Sequence, residues 1–250
     1  MKMQKILGYM RKAIQEYGLI SDGDRILVGV SGGKDSLVLL QGLILLRRFI
    51  GIDYEVVGVT LDMGFRDSRP DFSAVADLCE GQGVEYHVIP TQIGEIVFDV
   101  RKEPSPCSLC ARMRRGALHN AANDLGCNKV ALGHNYDDVV ETFVMNLFTE
   151  GRIGCFSPST YLTNKKVTVI RPLVFAPEKE IRRAARKNEL PIVKSFCPAD
   201  GHTNRQKTKD FLADMERKDH GFKDRLFGAM KRAGIDGWGG INRTPPANKD

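Results

Sequence analysis

The chain has 250 residues, 42% of them hydrophobic, enough for a substantial core in one large α/β domain. Its 37 Lys and Arg against 31 Asp and Glu give a net charge of +6, a mild excess shared by ordinary enzymes and nucleic-acid binders alike. No apolar run approaches the roughly eighteen residues of a membrane span, and the N-terminus lacks the continuous apolar stretch of a signal peptide, so a cytoplasmic protein with no membrane partner is expected. In that compartment the six cysteines argue against a disulfide framework and leave metal, redox or packing roles.

Residues 1–20 read as an amphipathic helix with Ile6, Tyr9, Met10, Ala13, Ile14 and Tyr17 on one face. A continuous apolar strand (25–30) leads into a helix (35–50) opened by Asp35 and Ser36. A second strand (54–62), a helix ending in glycine (71–83) and a third strand (84–90) follow. The stretch before Ser108 interrupts this rhythm; a helix over 108–125, a fourth strand (129–133) and a helix (137–148) restore it. Residues 150–166 read as a polar loop, 167–173 as a fifth strand closed by Pro172, and 177–190 as a helix with Pro177 near its start. Alternating strands and helices argue for a parallel five-stranded sheet covered by helices, the main domain spanning 21–190. Residues 191–235 read as a helical, basic segment and 236–250 as a disordered tail. In such a sheet the ligand belongs at the C-terminal ends of the strands, at a topological switch point.

The first strand runs into Ser31-Gly32-Gly33-Lys34-Asp35-Ser36. This is neither G-x-x-x-x-G-K-[ST], since Asp35 follows Lys34, nor G-x-G-x-x-G. It still combines close-approach glycines, hydroxyls, backbone N–H groups and a lysine at a helix start, which is what a phosphate needs. The stretch Gly133-His134-Asn135-Tyr136-Asp137-Asp138 opens another helix after the fourth strand. Its carboxylates suit simple N-capping, Mg²⁺ held against phosphates, or a base for the nucleotide. Cys107 and Cys110 have C-x-x-C spacing, open to zinc, a redox dithiol or an iron–sulfur site, and the following arginines should lower their pKa. Cys197 by itself reads as a buried or free cysteine, which needs the fold to bring it near the pair. Cys79 and Cys127 read as packed, Cys155 lies in a Gly-rich loop, and His87 reads as strand core.

The S-G-G-K-D-S loop resembles that of the PP-loop ATP pyrophosphatases. Together with C-S-L-C followed by x-R-x-R-R-G, L-G-H-N-Y-D-D, V-I-R-P-L and the late Cys197, it resembles the tRNA 2-thiocytidine synthetases, the TtcA group, over about residues 5–232. The resemblance implies an ATP-using tRNA sulfurtransferase that converts a cytidine at position 32 of the anticodon loop to 2-thiocytidine, giving AMP and pyrophosphate. It implies ATP and Mg²⁺ held by residues 31–36, Thr60, Gly133, His134 and Asp137, with Lys34, Arg114 and Asp138 as catalytic residues. It implies a [4Fe–4S] cluster on Cys107, Cys110 and Cys197, with one iron free of protein ligands. The implied partners are tRNA and a sulfur donor such as a cysteine desulfurase, and the implied assembly is a homodimer. Asp200 stands where many members of the family carry a further cysteine, which weakens a four-cysteine zinc reading. Arg114 stands where uridine-thiolating relatives carry Lys; arginine is a poor base, so its implied role is electrostatic.

Arg112, Arg114, Arg115, Arg182, Arg183 and Arg186 form a candidate basic stripe for the RNA backbone. Arg171 suits a phosphate contact or a structural salt bridge. The target base must leave its stack to react. The competing readings are another PP-loop enzyme, such as a tRNA 2-thiouridine synthetase or an amide-forming synthetase, and a non-enzymatic metal-binding RNA protein or redox sensor. The three-cysteine set argues against a synthetase, and S-G-G-K-D-S argues against a protein without ATP chemistry.

Overall fold

The computed structural model describes residues 3–65, 70–102, 106–194, 196–198 and 204–241. Asp200 and the last nine residues of the expected tail lie outside them. In chain order the elements are α1 (Gln4–Tyr17), β1 (Asp24–Gly29), α2 (Lys34–Leu46), β2 (Tyr54–Asp62), α3 (Ser73–Glu80), β3 (Glu85–Pro90) and α4, a single turn (Ile93–Glu95) that widens into a π-helical turn (Ile96–Arg101). Then come α5 (Pro106–Asp124), β4 (Lys129–Ala131), α6 (Tyr136–Thr149), β5 (Ser159–Leu162), β6 (Val167–Ile170), α7 (Glu178–Lys187), α8 (Asn204–Lys218) and α9 (Phe222–Arg232).

The strands form one six-stranded sheet in the order β3-β2-β1-β4-β6-β5. All neighbours are parallel except β5 and β6, which pair antiparallel with Ser159 opposite Ile170 and Leu162 opposite Val167. The expected count of five therefore becomes six. The stretch expected as a polar loop supplies an edge strand, because its short hairpin can pair with β6 while its outer side stays in water, with Tyr161 61% exposed.

Strand alternation divides the core. Ile26, Val28 and Val30 face a cluster built with α1, α2, α3 and α7, in which Met10, Leu37, Leu40 and Ile181 are fully buried. Leu27, Val57 and Val59 face the other way, onto Leu118, Ala121 and Ala122 of α5. A third cluster joins Val140 and Val144 of α6 to Leu212 of α8 and, at its margin, Leu226 of α9. At the start of β4 the buried Lys129 is 2.7 Å from Asp24 and donates to the Leu19 carbonyl, so its charge is both paired and hydrogen-bonded.

Two sequence expectations change here. The tail does not begin at residue 236: Trp238 is fully buried, edge-on to Tyr17 and Phe227, and its Nε1 donates to the Phe156 carbonyl at 2.9 Å. Burying an indole with its N–H satisfied outweighs the loop-like composition around it. His87 is not core; it lies on β3, the edge strand of the sheet, with its side chain 38% exposed and 2.7 Å from Glu85. Among the described residues no helix is long and apolar enough to cross a membrane.

Candidate functional site

The strand order reverses between β1 and β4, so the loops after these two strands flank one crevice. The loop after β1 is residues 31–36. The Ser36 hydroxyl donates to the Gly33 carbonyl at 2.9 Å and accepts from the Ser31 N–H at 3.1 Å, and the two serine oxygens lie 3.2 Å apart. These bonds curl the loop around the first turn of α2. Gly32 is in the left-handed region at φ +79°, and a Cβ there would stand 2.8 Å from Val193 Cβ. The backbone needs glycine for both reasons, since the Val193 N–H donates to the Gly32 carbonyl at 3.0 Å.

The loop after β4 comes equally close. A Cβ on Gly133 would lie 3.1 Å from the Asp35 carbonyl carbon and 3.2 Å from the Ser36 nitrogen, so a side chain here would push the two loops apart by a few tenths of an ångström. Beyond it, Asn135 caps α6 in a reciprocal box. Its side chain accepts from Asp138 N–H at 3.1 Å, and Asp138 Oδ2 accepts from Asn135 N–H at 2.8 Å. The Asn135 amide also donates to Asp35 Oδ1 at 3.0 Å, which ties the two loops together. Capping uses one oxygen of Asp138; the other accepts from Arg205 at 2.6 Å. Burial raises the Asp138 carboxyl to about 6, against the pull of Arg205 and the Asn135 bond; Asp35 and Glu141 add to the rise.

These loops open on a cavity of about 480 Å³, within the size range of small-molecule sites. Ser31, Gly33, Asp35, Ser36, Gly133, His134 and Asp138 line its polar floor. Cys110 and Arg114 line it from α5, Cys197 from the chain before α8 and Arg205 from the first turn of α8, and Phe65, Phe72 and Phe196 give it apolar walls. His134 sits against Phe156, ring centroids 4.8 Å apart, with its Nδ1 lacking a hydrogen-bond partner among the described residues. Burial, reinforced by the positive charge of Arg171 and other arginines, lowers its pKa to about 3, so the imidazole is neutral.

Other sequence candidates fall outside this lining. Thr60 is 1% exposed and its hydroxyl donates to the Val30 carbonyl, with Tyr86 Oη also 2.7 Å away; strand alternation presents Val59 and Leu61 to the cavity instead. Asp137 accepts from the Glu178 N–H at the start of α7 and pairs with Lys223, both at under 3 Å. Lys34 is held by Asp35 at 2.9 Å and Glu178 at 3.0 Å. Burial opposes its charge, yet these two carboxylates outweigh it and raise its pKa.

The cysteines divide into two groups. Cys79, Cys127 and Cys155 are buried in packing. Cys155 contacts the Val139 carbonyl at 3.5 Å, and burial pushes its thiol up to about 12. Cys107 and Cys110 lie near the start of α5, three residues apart; Cys107 is exposed, and Cys110 lines the cavity as Cys197 does. The Cys110 pKa is raised rather than lowered as expected: burial dominates, Cys197 and Cys107 add to it, and Arg114 offsets only part. Among the described residues no three His, Cys, Asp or Glu side chains converge on a single metal ion. Cys110 and Cys197 line the cavity together, while Cys107, exposed and three residues before Cys110, is outside that lining.

The expected basic stripe is split by the sheet. Arg112, Arg114 and Arg115 lie on α5, which covers one face, whereas Arg182, Arg183 and Arg186 lie on α7, in the layer covering the other. Arg171 lies over the Phe156 ring, 5.0 Å from its centroid, and donates to the Ser157 carbonyl at 2.6 Å, outside the cavity lining.

Sequence reasoning missed Arg205, Glu141 and Glu178. Arg205 and Glu178 were visible only as members of basic helical stretches. Their partners are distant in sequence, so no local pattern marks them.

The PP-loop domain family matches residues 4–209. A Geobacter sulfurreducens protein named tRNA-cytidine(32) 2-sulfurtransferase is 41% identical over 232 residues, covering 92% of this chain and 90% of its own. A protein of the same name from Pelobacter propionicus is 42% identical over 210 residues, 83% and 77% of the two chains. Among solved structures, the U34-tRNA thiolase NcsA from Methanococcus maripaludis, described with its [4Fe-4S] cluster, superposes with a TM-score of 0.76 at 26% identity. That match covers 92% of this chain and 78% of the thiolase.

Proposed function

We propose, from the premise that the chain belongs to the PP-loop domain family and within it to the tRNA-cytidine(32) 2-sulfurtransferases, that it is an ATP-dependent enzyme replacing the C2 oxygen of a tRNA cytidine with sulfur. The observation that carries this reading is one cavity lined together by the 31–36 loop, Asp138, Arg114, Cys110 and Cys197. Hydroxyl, carboxyl, guanidinium and thiol groups line it together at the sheet's switch point, which supports a site for ATP and sulfur chemistry.

The loop N–H groups and the Ser31 and Ser36 hydroxyls hold the terminal phosphates of ATP, leaving the α-phosphate open. The cytidine C2 oxygen attacks that phosphorus, the bond to pyrophosphate breaks, and the base becomes an O-adenylated intermediate. Lys34 neutralises the leaving pyrophosphate once phosphate competes for it with Glu178 and Asp35. Sulfide-level sulfur then adds at C2, the C2–O bond breaks, AMP departs with the oxygen and the proton on sulfur is lost, with no change of oxidation state. Adenylation is required because a carbonyl oxygen alone is a poor leaving group. Of the acids that line the cavity, Asp35 and Asp138 stand beside the phosphate loop and would hold Mg²⁺ against the phosphates and neutralise their charge. Cys107, Cys110 and Cys197 would hold a [4Fe–4S] cluster, which supplies the place from which sulfur is delivered. Arg114, beside Cys110, supplies positive charge near the thiolates and the RNA. The resemblance adds a cysteine-desulfurase-type sulfur donor, a homodimer and a cytoplasmic location to this proposal. The anticodon-loop base has to be unstacked to enter the cavity.

The test is the thionucleoside content of tRNA, digested and measured by mass spectrometry, from a strain lacking the gene. Loss of 2-thiocytidine alone, restored by the wild-type gene and not by Cys107→Ala, is the expected result. Loss of a thiouridine instead would reassign the substrate, and no change would end the tRNA-thiolation reading.

A further inference from the structure

Arg205 enters the cavity from the first turn of α8, and it is held at two points. Its Nε donates to Glu141 Oε2 at 3.0 Å and its Nη2 donates to Asp138 Oδ1 at 2.6 Å. Both carboxylates lie on α6, three residues apart and so on one helix face. The two ends differ in character. Glu141 is 4% exposed and fixed within the helix packing, whereas Asp138 fronts the cavity that Ser31, Gly33 and Ser36 also line. The Arg205 side chain keeps 43% of its surface exposed, on a wall of that same cavity.

A clamp whose only task was to seat α8 would not need to face the cavity. That seating has other supports: Leu212 is fully buried against Val140 and Val144, and Lys209 pairs with Glu178 at 2.9 Å. Guanidinium is the cation best matched to a phosphate's paired oxygens, and here it stands with one arm anchored and the other on an exchangeable partner.

The geometry points to Arg205 as a further catalytic residue: its Nη groups leave Asp138 for the α-phosphate of bound ATP while Nε stays on Glu141. This rests on the adenylation reading above. As the cytidine oxygen bonds to the α-phosphorus and the bond to pyrophosphate breaks, negative charge gathers on the non-bridging oxygens, and Arg205 stabilises it without transferring a proton. The same exchange frees the outer oxygen of Asp138.

The experiment measures tRNA-dependent pyrophosphate release by the cluster-reconstituted full chain, with kcat and the KM for ATP taken separately. Arg205→Gln should lower kcat by about 10²–10³-fold, as loss of one transition-state donor does elsewhere, with a smaller change in KM. Arg205→Lys should recover part of the rate, since it restores charge but not the fork. Removing Arg205 alone leaves the buried Glu141 unpaired, so the Arg205→Gln, Glu141→Gln double variant is measured beside it. The double variant should melt near the wild type and remain as slow as Arg205→Gln. Wild-type kcat in either folded variant, or a loss of thiolation with pyrophosphate release intact, would overturn the assignment of Arg205 alone. A wild-type enzyme that releases no pyrophosphate with tRNA present would overturn the functional reading and this inference with it.

Discussion

Lys34 Nζ lies 3.0 Å from Glu178 Oε1, so the lysine of the phosphate loop is held by a carboxylate from the opening turn of α7. The same carboxylate takes Lys209 of α8 at 2.9 Å. Burial works to raise the Glu178 pKa, but these two lysines overcome it and draw the carboxyl down to about 2. A carboxyl lowered in the fold stabilises it above the ordinary value of 4.5, and that stabilisation is lost as pH falls through about 2. Glu178→Gln should therefore flatten the acid limb of the stability curve between those values, read as melting temperature against pH. That stabilisation is fully present at pH 7, so Glu178→Gln should also lower the melting temperature there, and by loosening Lys34 it should change the KM for ATP. An unchanged acid limb would show that the lysines do not depend on Glu178.

Gly32 tests the shape of the loop independently of its charges. Gly32→Ala has to adopt φ +79° and meet Val193 Cβ at 2.8 Å. The left-handed conformation alone costs about 1–2 kcal/mol in a residue with a side chain. ATP binding, measured by calorimetry, should weaken at least tenfold, while circular dichroism still shows a folded α/β protein. Wild-type affinity would mean that the loop reshapes without loss.

His134 gives the site a pH signature. Its pKa falls from 6.5 to about 3 in the fold, so between those values the unfolded chain carries a proton that the folded chain does not. Stability from this group is complete above 6.5 and declines as pH falls. Asp138 has the opposite sign: its pKa rises from 3.8 to about 6, so its contribution is complete below 3.8 and is lost as pH rises through 6. The two partly cancel in the wild type. In an Asp138→Asn background, adding His134→Gln should reduce the fall in melting temperature between pH 7 and pH 4.5. Identical slopes in the two backgrounds would show that His134 is protonated in the folded protein.

Trp238 closes the core from the far end of the chain. Trp238→Ala removes a fully buried indole and its bond to the Phe156 carbonyl, and should cost about 3–5 kcal/mol. Trp238→Phe, which keeps most of the apolar contact, should cost less. Urea unfolding read by circular dichroism measures both. A loss below about 1 kcal/mol for Trp238→Ala would mean that residues 235–241 are not part of the cooperative unit.

By itself the sequence determined what is local. Val28, Val30 and their neighbours form continuous apolar strands with any partner, Gly32 and Gly133 permit close approach, and Cys107 and Cys110 share a helical turn by spacing alone. From these the helix–strand alternation and the phosphate loop follow, because each depends on residues a few positions apart. Tertiary structure alone decided what meets across long separations. It paired β5 with β6, buried Trp238, and divided the arginines of α5 and α7 between the two faces of the sheet. It turned Thr60 into the strand packing, turned Asp137 toward α7 and α9, and brought Arg205 to Asp138 and Glu141. The reason is that strand order and helix docking are set by the summed burial of the whole core. That sum fixes which distant charges come within hydrogen-bonding reach, and no window of sequence contains it.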